Sequence, residues 1–128
     1  MTLTRVERWD VRRDGLLSEA ALQRKIEALG FDVAARIYPA GVSAITSVHD
    51  RVCLAGVVRG VVKLTVDDDP VFLAAGDLAF VPRGAVRRIE VVGPETALCL
   101  EAFPRAEPAT PGSPAATAAD VSADRTGR

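Results

Sequence analysis

The stretch SVHDRVCLAG, residues 47–56, holds the chain's single histidine, His49, with Asp50 and Arg51 beside it and Cys53 four residues on. An imidazole titrates near neutrality, so it can ligate a metal, move a proton, or sit in a core with its hydrogen bonds satisfied. Nearby groups narrow the chemistry. On an extended segment adjacent side chains face opposite ways, so Asp50 is poorly placed to orient His49. Ser47 has no companion pattern for a hydrolase triad. Cys53 becomes a nucleophile only where a cation stands close and solvent has access; buried filler is its simpler role. Asp67, Asp68 and Asp69 lack the ligand spacing and closing glutamate of a calcium loop and read as a solvated hairpin turn.

The elements that must hold these groups follow from the pattern. The chain has 128 residues, about one domain. Its formal charge of −1 gives no electrostatic reason to expect nucleic acid or an anionic membrane as partner. No apolar run approaches the roughly 18 residues that span a bilayer, and the charged start MTLTRVERWDVRRDG lacks a signal-like apolar centre. With Cys53 and Cys99 both in apolar surroundings, a cytoplasmic protein with reduced thiols is expected.

SEAALQRKIEALG predicts a helix capped by Ser18 and stopped by Gly30, with Leu22, Ile26 and Leu29 on one face. Before it, VERWDVRR alternates weakly and reads as an edge strand. From Phe31 the period changes to two, with Phe31, Val33, Ala35 and Ile37 alternating against Asp32, Ala34, Arg36 and Tyr38. Short β-rich runs then recur between Gly/Pro turns, which predicts an all-β barrel or sandwich with one N-terminal helix. The expected divisions are 1–30 for the edge strand and helix, 31–103 for the barrel, and 104–128 for a Pro/Ala-rich disordered tail.

The punctuation is more specific than the periodicity. Gly76, five residues, Pro82, one residue, Gly84 resembles the second motif of the cupin family. Gly41, five residues, Ser47-Val48-His49, three residues, Cys53, six residues, Gly60 has the spacing of the first. The 15 residues between Gly60 and Gly76 match the compact inter-motif segment of that family. The resemblance spans residues 31–103 and implies a double-stranded β-helix, the jelly-roll barrel. It puts Ser47, His49, Cys53 and Arg87 where cupins carry His, His, Glu and His. Only His49 is retained, and a guanidinium stays protonated and repels a divalent ion. The resemblance therefore implies a cupin with no metal and no cofactor; a site recruiting Glu101 or Cys99 would be a novel one.

In this register Arg87 is a candidate anion anchor and His49 a candidate proton-transfer group, the guanidinium keeping the imidazole neutral. Ser47, Cys53, Tyr38 and Glu101 are candidate substrate-binding residues, the sequence leaving the faces of Tyr38, Cys99 and Glu101 open. The expected function is metal-independent isomerase, lyase or cyclase chemistry on a small anionic or carbonyl-containing metabolite, with a place in secondary-metabolite biosynthesis. A non-catalytic sensor, carrier or accessory protein with the same pocket is the alternative. A third reading is a structural dimer whose barrel is filled by Val, Leu and Phe side chains. A homodimer is expected from the resemblance, through an N-terminal strand edge bearing Trp9 and Val11.

Overall fold

The computed structural model describes residues 4–41 and 45–105. Ser18 accepts from the Ala21 N–H at 3.0 Å and starts a helix over Glu19–Ala28 (α2), which ends beside Gly30 at φ 94°. Leu22 and Ile26 are fully buried, each worth about 1.5–3 kcal/mol of burial. Leu29, expected on the same stripe, is about half exposed, because the helix ends before it and it serves as the C-cap. VERWDVRR is not one strand. Only Arg5–Glu7 (β1) is extended, and Asp10 caps a helical turn, Val11–Asp14 (α1), by accepting from the Arg12 N–H. The expected single helix is thus joined by one short turn, and Trp9 and Val11 stand outside the strand edge that was to carry them.

The remaining strands are Phe31–Tyr38 (β2), Ile45–Val48 (β3), Cys53–Arg59 (β4), Val61–Val66 (β5), Asp69–Leu73 (β6), Leu78–Val81 (β7), Val86–Val92 (β8) and Ala97–Pro104 (β9). They form two antiparallel sheets, ordered β1-β7-β4-β9-β2 and β3-β8-β5-β6, which face each other as a jelly-roll barrel. The hairpin between β5 and β6 turns on Asp67 and Asp68, both at positive φ, as expected of a two-residue connection.

The five-stranded sheet is buried on both sides. Its inner face contributes Cys53, Ala55, Val57, Ala79, Val81, Ala97 and Cys99 to the barrel core. Its outer face packs Leu54, Leu78, Leu100 and Ala102 under α2, with Phe31 and Val33 alongside. That double burial decides which way each phase of β2 faces. Phe31 and Val33 face the helix, Ile37 is exposed, and the phase that looked polar turns Arg36 and Tyr38 to the barrel. Pro104 closes β9, and the Arg105 N–H donates to the Gly30 carbonyl. Of the expected tail, 106–128 lie outside the described residues.

Two glycines of the motif turns do local work. At Gly76 (φ 92°) an added Cβ would stand 2.5 Å from the Trp9 Cβ, so a side chain there meets both strain and a clash. Gly84 (φ 79°) ends the Pro82-Arg83-Gly84 turn, and its N–H donates to the His49 carbonyl at 2.8 Å. The second motif thereby pins the backbone of the first motif's histidine. No helix among the described residues is long and apolar enough to cross a membrane.

Candidate functional site

The strand register brings the expected residues together. Ser47 on β3 stands directly opposite Arg87 on β8, and both point inward. Arg87 is 5% exposed. Each of its three nitrogens is engaged: Nε donates to Ser47 Oγ at 3.1 Å, Nη1 to Cys53 Sγ at 3.3 Å, and Nη2 to Glu101 Oε2 in a short buried ion pair. Glu101, on β9, is 7% exposed and takes a second cation through its other oxygen, from Arg36 Nε at 3.2 Å. A buried ion pair is tolerated only where hydrogen bonds satisfy what the charges leave over, and this one is enclosed by them.

His49 lies just after β3, with Nε2 3.9 Å from Glu101 Oε2, beyond hydrogen-bond reach. That nitrogen is buried and has no hydrogen-bond partner among the described residues, although the side chain as a whole is 31% exposed. The ring is held edge-on to Phe103 at 5.1 Å, and the Arg51 guanidinium covers the same phenyl ring at 5.1 Å. Burial, and then the charge of Arg87, push the His49 pKa below its ordinary 6.5, against the opposing pull of Glu101 and Asp50; Arg36 adds to the lowering. The imidazole is therefore neutral at pH 7. As the chain's single histidine its ring proton signals need no assignment, and a proton NMR titration should give a midpoint below 6.5. A midpoint above 6.5 would mean that Glu101, not Arg87, dominates the field at the ring.

Burial pushes the Glu101 carboxyl up, but the charge and hydrogen bond of Arg87, joined by those of Arg36, bring the net shift below the ordinary 4.5. The carboxylate is ionised at neutral pH. Tyr38 sits half-buried on the same face as Arg36, its pKa raised by burial and by Glu101, so its phenol stays a donor. Burial drives the thiols to about 11 for Cys53 and about 12 for Cys99, and neither is a nucleophile at neutral pH. Cys99 faces the interior as filler.

Two expectations need correction. Arg87 was to anchor a ligand's anion, yet its partners are all internal. The pocket was to enclose a substrate, yet the cavity that described residues form beside Arg36, Tyr38, Arg87 and Glu101 is about 10 Å³, room for about one water molecule. Val57, Val62, Leu64, Leu73 and Ile89 fill the rest. The members of this cluster with exposed surface are Arg36, His49 and Tyr38, although the His49 Nε2 atom is itself buried. Arg36 was missed. Its signal was its parity: it shares a strand face with Tyr38, the residue already singled out on that strand.

The fold and the turn glycines are those of a cupin, and comparison with known proteins agrees. The cupin domain model matches residues 35–103, more than half of the chain, which belongs to the cupin family. No curated protein sequence matches it. Among solved structures, the Cnp3 cupin domain of Schizosaccharomyces pombe is similar at TM-score 0.55 and 18% identity, over 59% of this chain and 53% of that one. An RmlC-like cupin from Shewanella frigidimarina gives 0.52 and 22%, over 58% and 65%. AerE from Microcystis aeruginosa gives 0.53 and 9%, over 57% and 35%. The chain thus spans less than two-thirds of each of these structures, and at such identities the likeness is one of fold.

The residues do not fit the divalent ion that the cupin motifs imply. Arg87 takes both the Glu101 oxygen and the Cys53 sulfur that an ion at this place would need. His49 and Glu101 are then two donors beside a permanent cation, short of the three or four protein ligands usual for zinc or iron. Among the described residues no three His, Cys, Asp or Glu side chains converge to hold an ion.

Proposed function

We propose that this cupin works without a metal, on a small anionic or carbonyl-containing metabolite, with His49 as the group that accepts and returns a proton. The single observation that supports this reading most is the unpartnered His49 Nε2, held neutral beside a fixed Arg87–Glu101–Arg36 array. A neutral imidazole is a base matched to neutral pH, and a preorganised array of charges stabilises an enolate without reorganising. Two guanidiniums against one carboxylate leave a surplus positive charge where such an anion would form. Removal of the proton next to a carbonyl is a first step open to isomerases, lyases and cyclases of carbonyl compounds alike. A cytoplasmic homodimer belongs to the same proposal.

The test needs no knowledge of the natural substrate. Incubated in D2O with a panel of short 2-oxo and 3-oxo acids, the protein should exchange the carbon-bound proton next to the carbonyl faster than buffer does, as read by mass spectrometry. His49→Ala should abolish the gain. No exchange above buffer across the panel would remove the catalytic reading. The filled interior favours a second one, in which the same outward groups bind a ligand without turning it over. Saturable binding without exchange is its signature.

A further inference from the structure

Arg87 and Arg36 are the two cations on Glu101, and their situations differ. Arg87 is sealed inside the barrel with every nitrogen committed to Ser47, Cys53 or Glu101. Arg36 has a 54% exposed side chain and commits only Nε. Its terminal nitrogens, Nη1 and Nη2, have no hydrogen-bond partner among the described residues. Those two nitrogens form the end-on fork that a carboxylate meets with parallel hydrogen bonds. The guanidinium is also oriented in advance, since Glu101 Oε1 holds its Nε.

The other open valence is His49 Nε2, buried and unsatisfied. A buried polar atom without a partner is uncommon in a native fold and asks for one. Arg36 and His49 flank the two oxygens of the same carboxylate, Arg36 at 3.2 Å from Oε1 and His49 at 3.9 Å from Oε2. One short molecule seated on Arg36 would therefore lie beside the imidazole, and its contact with Nε2, which is closed to solvent, requires the ring to turn outward. The space that described residues enclose beside Arg36 and Arg87 is about 10 Å³, so the ligand is placed at the rim beside Tyr38.

We propose that Arg36, rather than Arg87, is the anchor for a ligand carboxylate, and that the ligand is a short oxo acid whose acidic carbon is presented to His49. The assignment rests on the metabolite-site reading above and adds its substrate class. Arg87 and Glu101 become the positioning pair: Arg87 fixes the carboxylate, and the carboxylate fixes Arg36. A neutral analogue lacks the charge-assisted paired hydrogen bonds of a carboxylate and gains far less from this arrangement. Other charges at the rim are Arg51, occupied with the Pro104 carbonyl and the Phe103 ring, and Asp50.

The experiment is a titration of 15N-labelled protein with 2-oxobutyrate and with its neutral amide, following the arginine Nε–H signals and the His49 ring. The Arg36 and His49 signals should move saturably with the acid and not with the amide, while the Arg87 signal stays still. Arg36→Gln should weaken binding at least tenfold, and Arg36→Lys, which keeps the charge without the fork, should fall between. Thermal melts of both variants report whether the fold is kept. Movement of the Arg87 signal with Arg36 silent would overturn the assignment. So would equal binding of acid and amide, or no saturable shift at all. Binding at Arg36 without deuterium exchange would keep the anchor and sink the catalytic reading; exchange indifferent to Arg36→Gln would do the reverse.

Discussion

Arg87→Met is expected to destabilise the protein by about 3–5 kcal/mol, a large part of the 5–15 kcal/mol that holds a typical domain together. The loss comes from what is left behind. Glu101 stays 7% exposed, with its inner oxygen stripped of its partner and only the half-exposed Arg36 on the other. Glu101→Leu should cost a similar amount, for it strands a guanidinium that is 5% exposed among Ser47 and Cys53. The double variant Arg87→Met/Glu101→Leu should not add the two. Replacing both members of a buried pair by apolar groups of similar volume is commonly neutral or stabilising, so it should recover to within about 1 kcal/mol of the parent. Urea unfolding of the four proteins measures this cycle. Additive losses would mean that the pair is not the unit described.

The same cycle carries a pH signature. Glu101 has its folded pKa depressed below the ordinary 4.5. The stability it contributes is fully present above that ordinary value and is lost as pH falls through the depressed one. The gap between parent and Arg87→Met should therefore be widest at neutral pH, narrow as the variant's unpaired carboxyl takes up its proton, and stop narrowing once pH is below the parent's depressed value.

His49→Ala should reduce deuterium exchange into the best oxo acid by about 10²–10⁴-fold, the range for losing one well-placed general base. Stability should change little, because Nε2 makes no hydrogen bond among the described residues and the side chain is partly exposed. The parent's exchange rate should fall as the solution is acidified through the His49 pKa, which lies below 6.5. The pattern that separates base from scaffold is a lost acid limb in His49→Ala with oxo-acid binding at Arg36 retained. Loss of binding and exchange together, in a variant with an unchanged melt, would instead make His49 a ligand contact.

The barrel was legible where local chemistry dictates it. Gly76, Pro82 and Gly84 demand particular backbone angles, and their spacing alone located the turn that holds the His49 carbonyl. The same register put Ser47 across from Arg87. What alternation could not decide was which phase of a strand faces the barrel when both faces are covered. In β2 the apolar phase lies under α2, so alternation alone did not single out Arg36 as an inward residue. Glu101 was ambiguous for the same reason, since β9 buries Leu100 and Ala102 on one side and Cys99 on the other. Nor could residue types foretell that Arg87 would find its anion inside the chain. That pairing depends on the contact between β8 and β9 across the barrel, which no local pattern encodes.

Metal analysis of the purified protein, before and after incubation with zinc, manganese, iron and nickel salts and removal of excess, tests the central claim most directly. With the Arg87 guanidinium seated between Glu101 and Cys53, the protein should retain far less than one ion per chain, and its melting temperature should not respond to any of the four. One tightly held ion per chain, lost on His49→Ala, would contradict the account.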